Sequence, residues 1–350
     1  MTTRPVQSIL CPIDIERPSD AALRYAFFLA EAFYASLEVV HARPPTSDPL
    51  KSADVGSGAR ARAQHSMNER FARARLVGLL QRVTTAVPGR ASAHVVEGGP
   101  VSGTLRSALR FRSDLIVMGS HFEARSDWLF ESSLGEQIAY AAACPVLSVH
   151  EGGQRMPLLV RNILLPVDFH HPLALATQWT IAFARCFGAT VELMSFRSTS
   201  QLEGEPDDAP LQAGEPLKLH ELRDRLRAAG VGVENATASD DGAFERILRR
   251  TESGGCDLVV MGAEPRDKRM SVTKPSLTAS IRRHASIPVL SVRPPGSQSA
   301  VIGRGLGAES ANGEPRSLSM ATHRPLGAER HVGDRHGVPC AGTRAHAGSA

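Results

Sequence analysis

The 350-residue chain is short of aromatic side chains: Phe, Trp and Tyr make up 5% of it, against 42% hydrophobic residues overall. Its cores must therefore be packed mostly with aliphatic side chains, and it has no alternating aromatic and basic positions on which nucleic-acid bases could stack. Charge of one sign is also lacking. Forty Lys and Arg stand against 36 Asp and Glu, a formal +4, and the basic residues form no single long run. A general attraction to nucleic acid or anionic lipid is not indicated. Cysteines are few and scattered, at Cys11, Cys144, Cys186, Cys256 and Cys340. They offer no CxxC pair and no Cys/His spacing for zinc, and the first three sit in apolar strings where a small buried thiol is expected. No run of about 18 apolar residues could span a bilayer, and no apolar run follows Arg4 as a secretory signal would require, so a cytoplasmic protein is expected. There is no GxSxG elbow, no Walker lysine and no GxGxxG fingerprint, and no Ser or Cys is forced into a nucleophile–base–acid arrangement. Dedicated catalysis is not expected.

What the chain does have is a repeat. ILCPID from Ile9 returns as ILLPVD from Ile163, and the two copies run on without a gap for some thirty residues at an offset of 154. Ile9, Pro12, Asp14, Pro18, Ala30 and Phe33 recur as Ile163, Pro166, Asp168, Pro172, Ala184 and Phe187. A second pair, DLIVMGSH from Asp114 and DLVVMGAE from Asp257, is offset by 143, which holds through CPVLSV at Cys144 and IPVLSV at Ile287. The chain is an internal duplication. Its second copy is shorter in the middle by about 11 residues, the difference between the two offsets.

Each copy alternates short Ile, Leu and Val runs with helical patterns. In the first copy, strands are expected at 8–13, 37–42, 92–97, 115–119 and 145–150. Helices are expected at 21–35 with Ser19 as N-cap, 65–83, 101–111 and 134–143. Phe71, Leu76, Leu79 and Leu80 are expected to turn towards the sheet. The second copy repeats the order, with strands at 162–167, 190–195, 231–238, 258–261 and 288–292 and helices at 174–187, 217–229, 242–252 and 276–284. Loops are expected at 44–61 and 198–215. Near-continuous aliphatic strands, each followed by a helix, predict a parallel sheet covered on both faces, and right-handed crossovers make each copy a doubly wound α/β fold. The boundaries are placed at 1–155, 156–294 and 295–350. The last segment, rich in Gly, Ala, Ser, Pro, Arg and His without periodicity, is expected to be a disordered tail.

In such a sheet the ligand crevice opens at the carboxyl ends of the strands where chain order reverses. Asp14 and Asp168 end the first strand of each copy, and Gly119 and Gly262 end the fourth. The carboxylates could accept hydrogen bonds from an adenine or a ribose, or each could cap its own turn. His41, His121, His170 and His171 fall near the same rims.

The PxD strand ends, the DLIVMG strand and the PVLSV final strand together resemble the universal stress protein family, over about residues 6–150 and 160–293. The resemblance implies five parallel strands in the order 3-2-1-4-5 in each copy. It also implies pairing of the two copies through their last strands, which would cover apolar edges that otherwise invite aggregation. Some family members bind ATP. In those the fourth strand runs on as glycine, two residues, glycine, nine residues, glycine and then Ser or Thr, so that backbone amides and a helix N-terminus enclose the phosphates. Both copies depart from this pattern. After Gly119 come Phe122, Ser132 and Ser133; after Gly262 come Pro265, Pro275 and Ser276. Proline removes an amide and phenylalanine adds bulk, so the cradle is damaged twice. The second copy's loop carries Arg266, Lys268, Arg269 and Lys274, whose side chains could stand in for lost amides. The first copy's loop holds one Arg against three acids.

The resemblance thus implies a stress-response protein working through protein interaction, with degenerate nucleotide crevices. The alternative is an adenine-nucleotide sensor or slow ATPase built on Asp168, Gly262, Arg266 and Ser276. Asp14, Gly119, Ser132 and Ser133 are the weaker counterpart. ATP with magnesium is the cofactor to consider, and no metal-binding residue set is expected. Further pairing into a homodimer stays open; a nucleic-acid partner is not expected.

Overall fold

Burial along the central strands shows why the aliphatic runs become a sheet. Ile9, Cys11, Leu115 and Val117 face one side, Leu10, Ile116 and Met118 the other, and all are buried. Such two-faced strands are stable only with helices on both sides. The computed structural model describes residues 6–43, 55–83, 90–119, 134–151, 159–167, 173–196, 217–238, 242–262, 276–293 and 318–319.

The first copy runs β1 (Ser8–Pro12), α1 (Asp20–Phe33), β2 (Ser36–Arg43), α2 (Val55–Val83), β3 (Ala91–Glu97), α3 (Pro100–Arg110), β4 (Leu115–Gly119), α4 (Leu134–Ala141) and β5 (Val146–Val149). The second runs β6 (Asn162–Val167), α5 (Ala174–Phe187), β7 (Thr190–Phe196), α6 (Leu217–Ala228), β8 (Val233–Ala238), α7 (Ala243–Glu252), β9 (Leu258–Gly262), α8 (Leu277–His284) and β10 (Val289–Val292). Within each copy the strands are parallel and ordered 3-2-1-4-5: β3-β2-β1-β4-β5 and β8-β7-β6-β9-β10. The expected order is therefore observed twice.

The two five-stranded sheets join edge to edge. β5 and β10 pair antiparallel, with Leu147 opposite Leu290 and Ser148 opposite Val289. Leu147 and Leu290 are themselves equivalents in the repeat, so the chain's pseudo-two-fold axis passes between them. Other equivalents also meet across it: Phe33 and Phe187 lie edge to face at 5.9 Å, and the Cys186 thiol reaches the Ala32 carbonyl at 3.5 Å. Phe28 stacks on Phe187 at 5.2 Å, and Phe33 meets Phe183 at the same separation. α1, α2, α5 and α6 thus cover one face of the joined sheet over a single core shared by both copies. On the other face each copy keeps its own core, under α3 and α4 in the first and under α7 and α8 in the second.

The junction is not fully symmetric. Arg282 of α8, 5% exposed, donates through Nε to the Ser148 hydroxyl at 3.2 Å. The repeat puts Ala139 in the equivalent place, and the equivalent hydroxyl, Ser291 Oγ, is buried with no hydrogen-bond partner. Arg293 donates to the Tyr140 carbonyl at 2.6 Å and lies over that ring, and Arg283 approaches Glu136 at 3.7 Å.

Local signals mostly behave as expected. Ser19 caps α1, its hydroxyl accepting from Ala22 N–H at 3.0 Å. Two expectations about α2 are corrected. The helix begins at Val55, inside the segment expected to be a loop to residue 61. Phe71 is 61% exposed, while Ala72, Leu76, Leu79 and Leu80 are the buried stripe. The cause is helical phase: residues 72, 76, 79 and 80 share one face, and a residue five positions before Leu76 lies well round the cylinder from it.

Of the C-terminal segment only Leu318–Ser319 is described. It forms a two-residue strand, β11, antiparallel to the outer edge of β3. The expected disorder of the rest, and the loop at 198–215, lie outside the described residues. Cys11 and Cys256 are buried, Cys144 and Cys186 half-buried, and all four are free thiols.

Burial pushes the Cys256 and Cys144 thiols up from 9.0 to about 12. A thiol held neutral by the fold stabilises it fully below the unfolded value, and that contribution is lost as pH climbs from 9.0 towards about 12. We expect Cys256 to resist iodoacetamide at pH 8 until the chain is unfolded. Rapid native labelling would show that its site opens readily.

Candidate functional site

In each copy the switch point lies between the first and fourth strands, β1 and β4 or β6 and β9, and the crevice opens at their carboxyl ends. Because β5 and β10 run antiparallel, these two crevices face opposite ends of the joined sheet. The carboxyl ends of β1 and β6 therefore belong to separate sites and could not share one ligand.

In the first crevice, Asp14 is half-buried just beyond β1, and its Oδ1 accepts from Glu16 N–H at 2.9 Å. That is an Asx-type turn cap. Beside it, His41 donates from Nδ1 to the Ile13 carbonyl at 3.0 Å, occupying an acceptor where β1 leaves the ladder. Gly119 ends β4 opposite Val149. On the neighbouring rim, Gly98 adopts φ +136° between β3 and α3; a Cβ there would run into the Arg106 guanidinium, which donates to the Glu97 carbonyl. Ser132 and Ser133 lie outside the described residues, as does His121.

In the second crevice, Gly262 ends β9 opposite Val292, and its carbonyl accepts from the Thr278 hydroxyl at 3.0 Å. Ser276 caps α8, its Oγ accepting from Ala279 N–H at 3.2 Å. Asp168, Arg266, His170 and His171 lie outside the described residues. The structure thus brings Gly262 and Ser276 to one rim, and Asp14 and Gly119 to the other. The first turn of α8 carries no acid, whereas that of α4 carries Glu136. The end of α8 is the friendlier of the two to an anion. Among the described residues no cluster of three or more His, Cys, Asp or Glu could hold a metal ion, and no helix is long and apolar enough to cross a membrane.

Several repeated polar residues proved structural. Asp114 Oδ2 accepts from the amides of Gln7 and Ser8 at 2.7 and 3.1 Å. Asp257 Oδ2 does the same for Arg161 and Asn162 at 2.8 and 2.9 Å. The aspartate of each DLxVMG run therefore clips the start of the first strand to the start of the fourth, at the far end from the crevice. Glu38 and Glu192 are equivalents on β2 and β7. Glu38 meets the buried His94 at 2.7 Å, and Glu192 takes both Nε and Nη2 of Arg250 at 2.7 Å, which raises the Arg250 pKa. Their recurrence at an offset of 154 was the available signal, but a lone Glu in a strand does not announce its partner.

The model of the Universal stress protein family matches residues 5–150 and again 160–293. The chain belongs to the universal stress protein family and carries two of its domains in tandem. It is 31% identical over 143 residues to a universal stress protein of Thermus aquaticus, an alignment spanning 41% of this chain and 98% of that one. Among solved structures it resembles a universal stress protein from Archaeoglobus fulgidus, with TM-score 0.57 and 14% identity over 83% of this chain and 97% of that one. It also resembles a putative universal stress protein from Pseudomonas aeruginosa, with TM-score 0.53 and 15% identity over 86% and 98%. At such identities the likeness is one of fold.

Proposed function

We propose that this chain is a stress-response protein that acts mainly by binding other proteins, on a platform of two joined domains whose nucleotide crevices are degenerate. The observation that supports it most is that three of the described rim groups are engaged locally. Asp14 caps its own turn, the Ser276 hydroxyl caps α8, and the Gly262 carbonyl is held by Thr278. The departures Phe122, Ser132, Pro265 and Pro275 point the same way. On this reading the purified chain carries no nucleotide and binds ATP with magnesium no tighter than the millimolar range, by extraction and calorimetric titration.

One observation favours a second reading, an adenine-nucleotide sensor or slow ATPase in the second crevice. The first turn of α8 carries no acid, and the sequence just before it carries Arg266, Lys268, Arg269 and Lys274. In that case Asp168, Gly262, Arg266 and Ser276 would hold the ligand. Micromolar ATP binding that is lost in Asp168→Ala and in Arg266→Ala would replace the first reading with this one.

A further inference from the structure

A concave site lies at the other end of the first copy's sheet from its crevice, at the amino ends of β2 and β3 and beneath the C-terminus of α1. Its volume is about 370 Å³, within the range of small-molecule sites. Phe27, Ala30 and Leu37 form an apolar floor, and Glu31, Tyr34 and Arg90 stand around it.

Tyr34 is the unusual residue. It sits at the end of α1 with φ +56°, the left-handed region that favours glycine. The second copy has Gly188 in the equivalent place, at φ +66°. A bulky side chain in that conformation is strained, and here the strained residue is also 64% exposed and lines a cavity. The Arg90 guanidinium lies 5.4 Å from the centre of the Tyr34 ring. Among the described residues neither Arg90 nor Glu31 has an ion-pair partner, so the cavity presents one unpaired cation, one unpaired anion and an aromatic face over an apolar floor.

We propose that this cavity binds a small aromatic zwitterion of the amino-acid class. The ring of the ligand would lie on the apolar floor against Tyr34. Its carboxylate would take the charge-assisted hydrogen bonds of Arg90, and its ammonium group would face Glu31. The site is peculiar to the first copy, because glycine at position 188 supplies no aromatic wall. It is independent of the two nucleotide crevices.

The test is titration of the full chain with L-tryptophan, followed by calorimetry or ligand-observed NMR. Tryptamine and indole-3-propionate, which lack the carboxylate and the ammonium respectively, serve as comparisons. Tryptophan is expected to bind, and each comparison compound to bind about tenfold or more weakly, the scale of one lost charged hydrogen bond. Arg90→Ala should weaken tryptophan by a similar factor. Tyr34→Gly should abolish measurable binding while raising the thermal midpoint, because the strain is relieved. That opposite movement separates a lost site from a lost fold. The proposal is overturned if tryptophan does not bind in the millimolar range, if Tyr34→Gly leaves its affinity unchanged, or if all three compounds bind alike.

Discussion

Leu290→Asp is expected to cost at least about 4 kcal/mol of stability, the combined effect of a lost core leucine and an unpaired buried carboxylate. Leu290 and its register partner Leu147 are both fully buried, and both belong to the core shared by the two copies. The damage should therefore appear at the junction. Urea unfolding of the parent chain should be a single transition, since one core cannot melt by halves. In the variant it should broaden or split as the two copies part. Leu290→Met, which conserves volume, should stay within about 1.5 kcal/mol of the parent. A Leu290→Asp protein as stable as the parent would mean that the β5–β10 pairing is not part of the cooperative fold.

Arg250→Ala should destabilise the second copy by about 2–3 kcal/mol. Removing one member of a buried pair costs about 3–5 kcal/mol because the other charge is left without compensation. Here the Arg250 side chain is 36% exposed while that of Glu192 is 10% exposed, so solvent reaching the site reduces the full figure. The pair is two guanidinium nitrogens converging on one carboxylate oxygen, each at 2.7 Å. The loss is thus charge-assisted hydrogen bonds as well as Coulomb attraction. The double variant Glu192→Leu with Arg250→Met should recover most of the stability, because it leaves no stranded charge. Chemical denaturation of the parent, Glu192→Leu, Arg250→Met and the double variant gives the coupling directly. A double variant as unstable as Arg250→Ala would show that packing around residue 250, and not the stranded carboxylate, carries the cost.

Charge partners of this kind were not legible in the sequence. Glu38 and Glu192 recur, but the first copy answers with His94 from the next strand and the second with Arg250 from a helix. Those positions are not equivalents in the repeat, so nothing in the alignment pairs them. The aspartates of the DLxVMG runs were visible as a repeated mark, yet their work as clips between the first and fourth strands depends on those strands being neighbours. The candidate site was legible only in outline. The positions of Asp14, Gly119 and Gly262 at the strand ends, and of Ser276 at the start of α8, follow from element order, whereas the capping bonds that occupy Asp14 and Ser276 depend on side-chain geometry. Phe71 shows the limit from another side: an apolar residue near a helical stripe reads as buried unless the phase of the helix is known within a residue.

By itself the sequence determined the duplication, the alternation of strand and helix, most element limits and the Ser19 cap, because these depend on periodicity and short-range hydrogen bonding. Only the tertiary structure decided that α1 and α5 share one aromatic core across the pseudo-two-fold axis. It also decided that the two crevices face opposite ends of the sheet, and that Tyr34 is strained beside a cavity with two unpaired charges. The first two rest on an antiparallel junction of two strands that no local pattern specifies, and the third on Arg90, at the start of β3, meeting the end of α1 from a distant part of the chain.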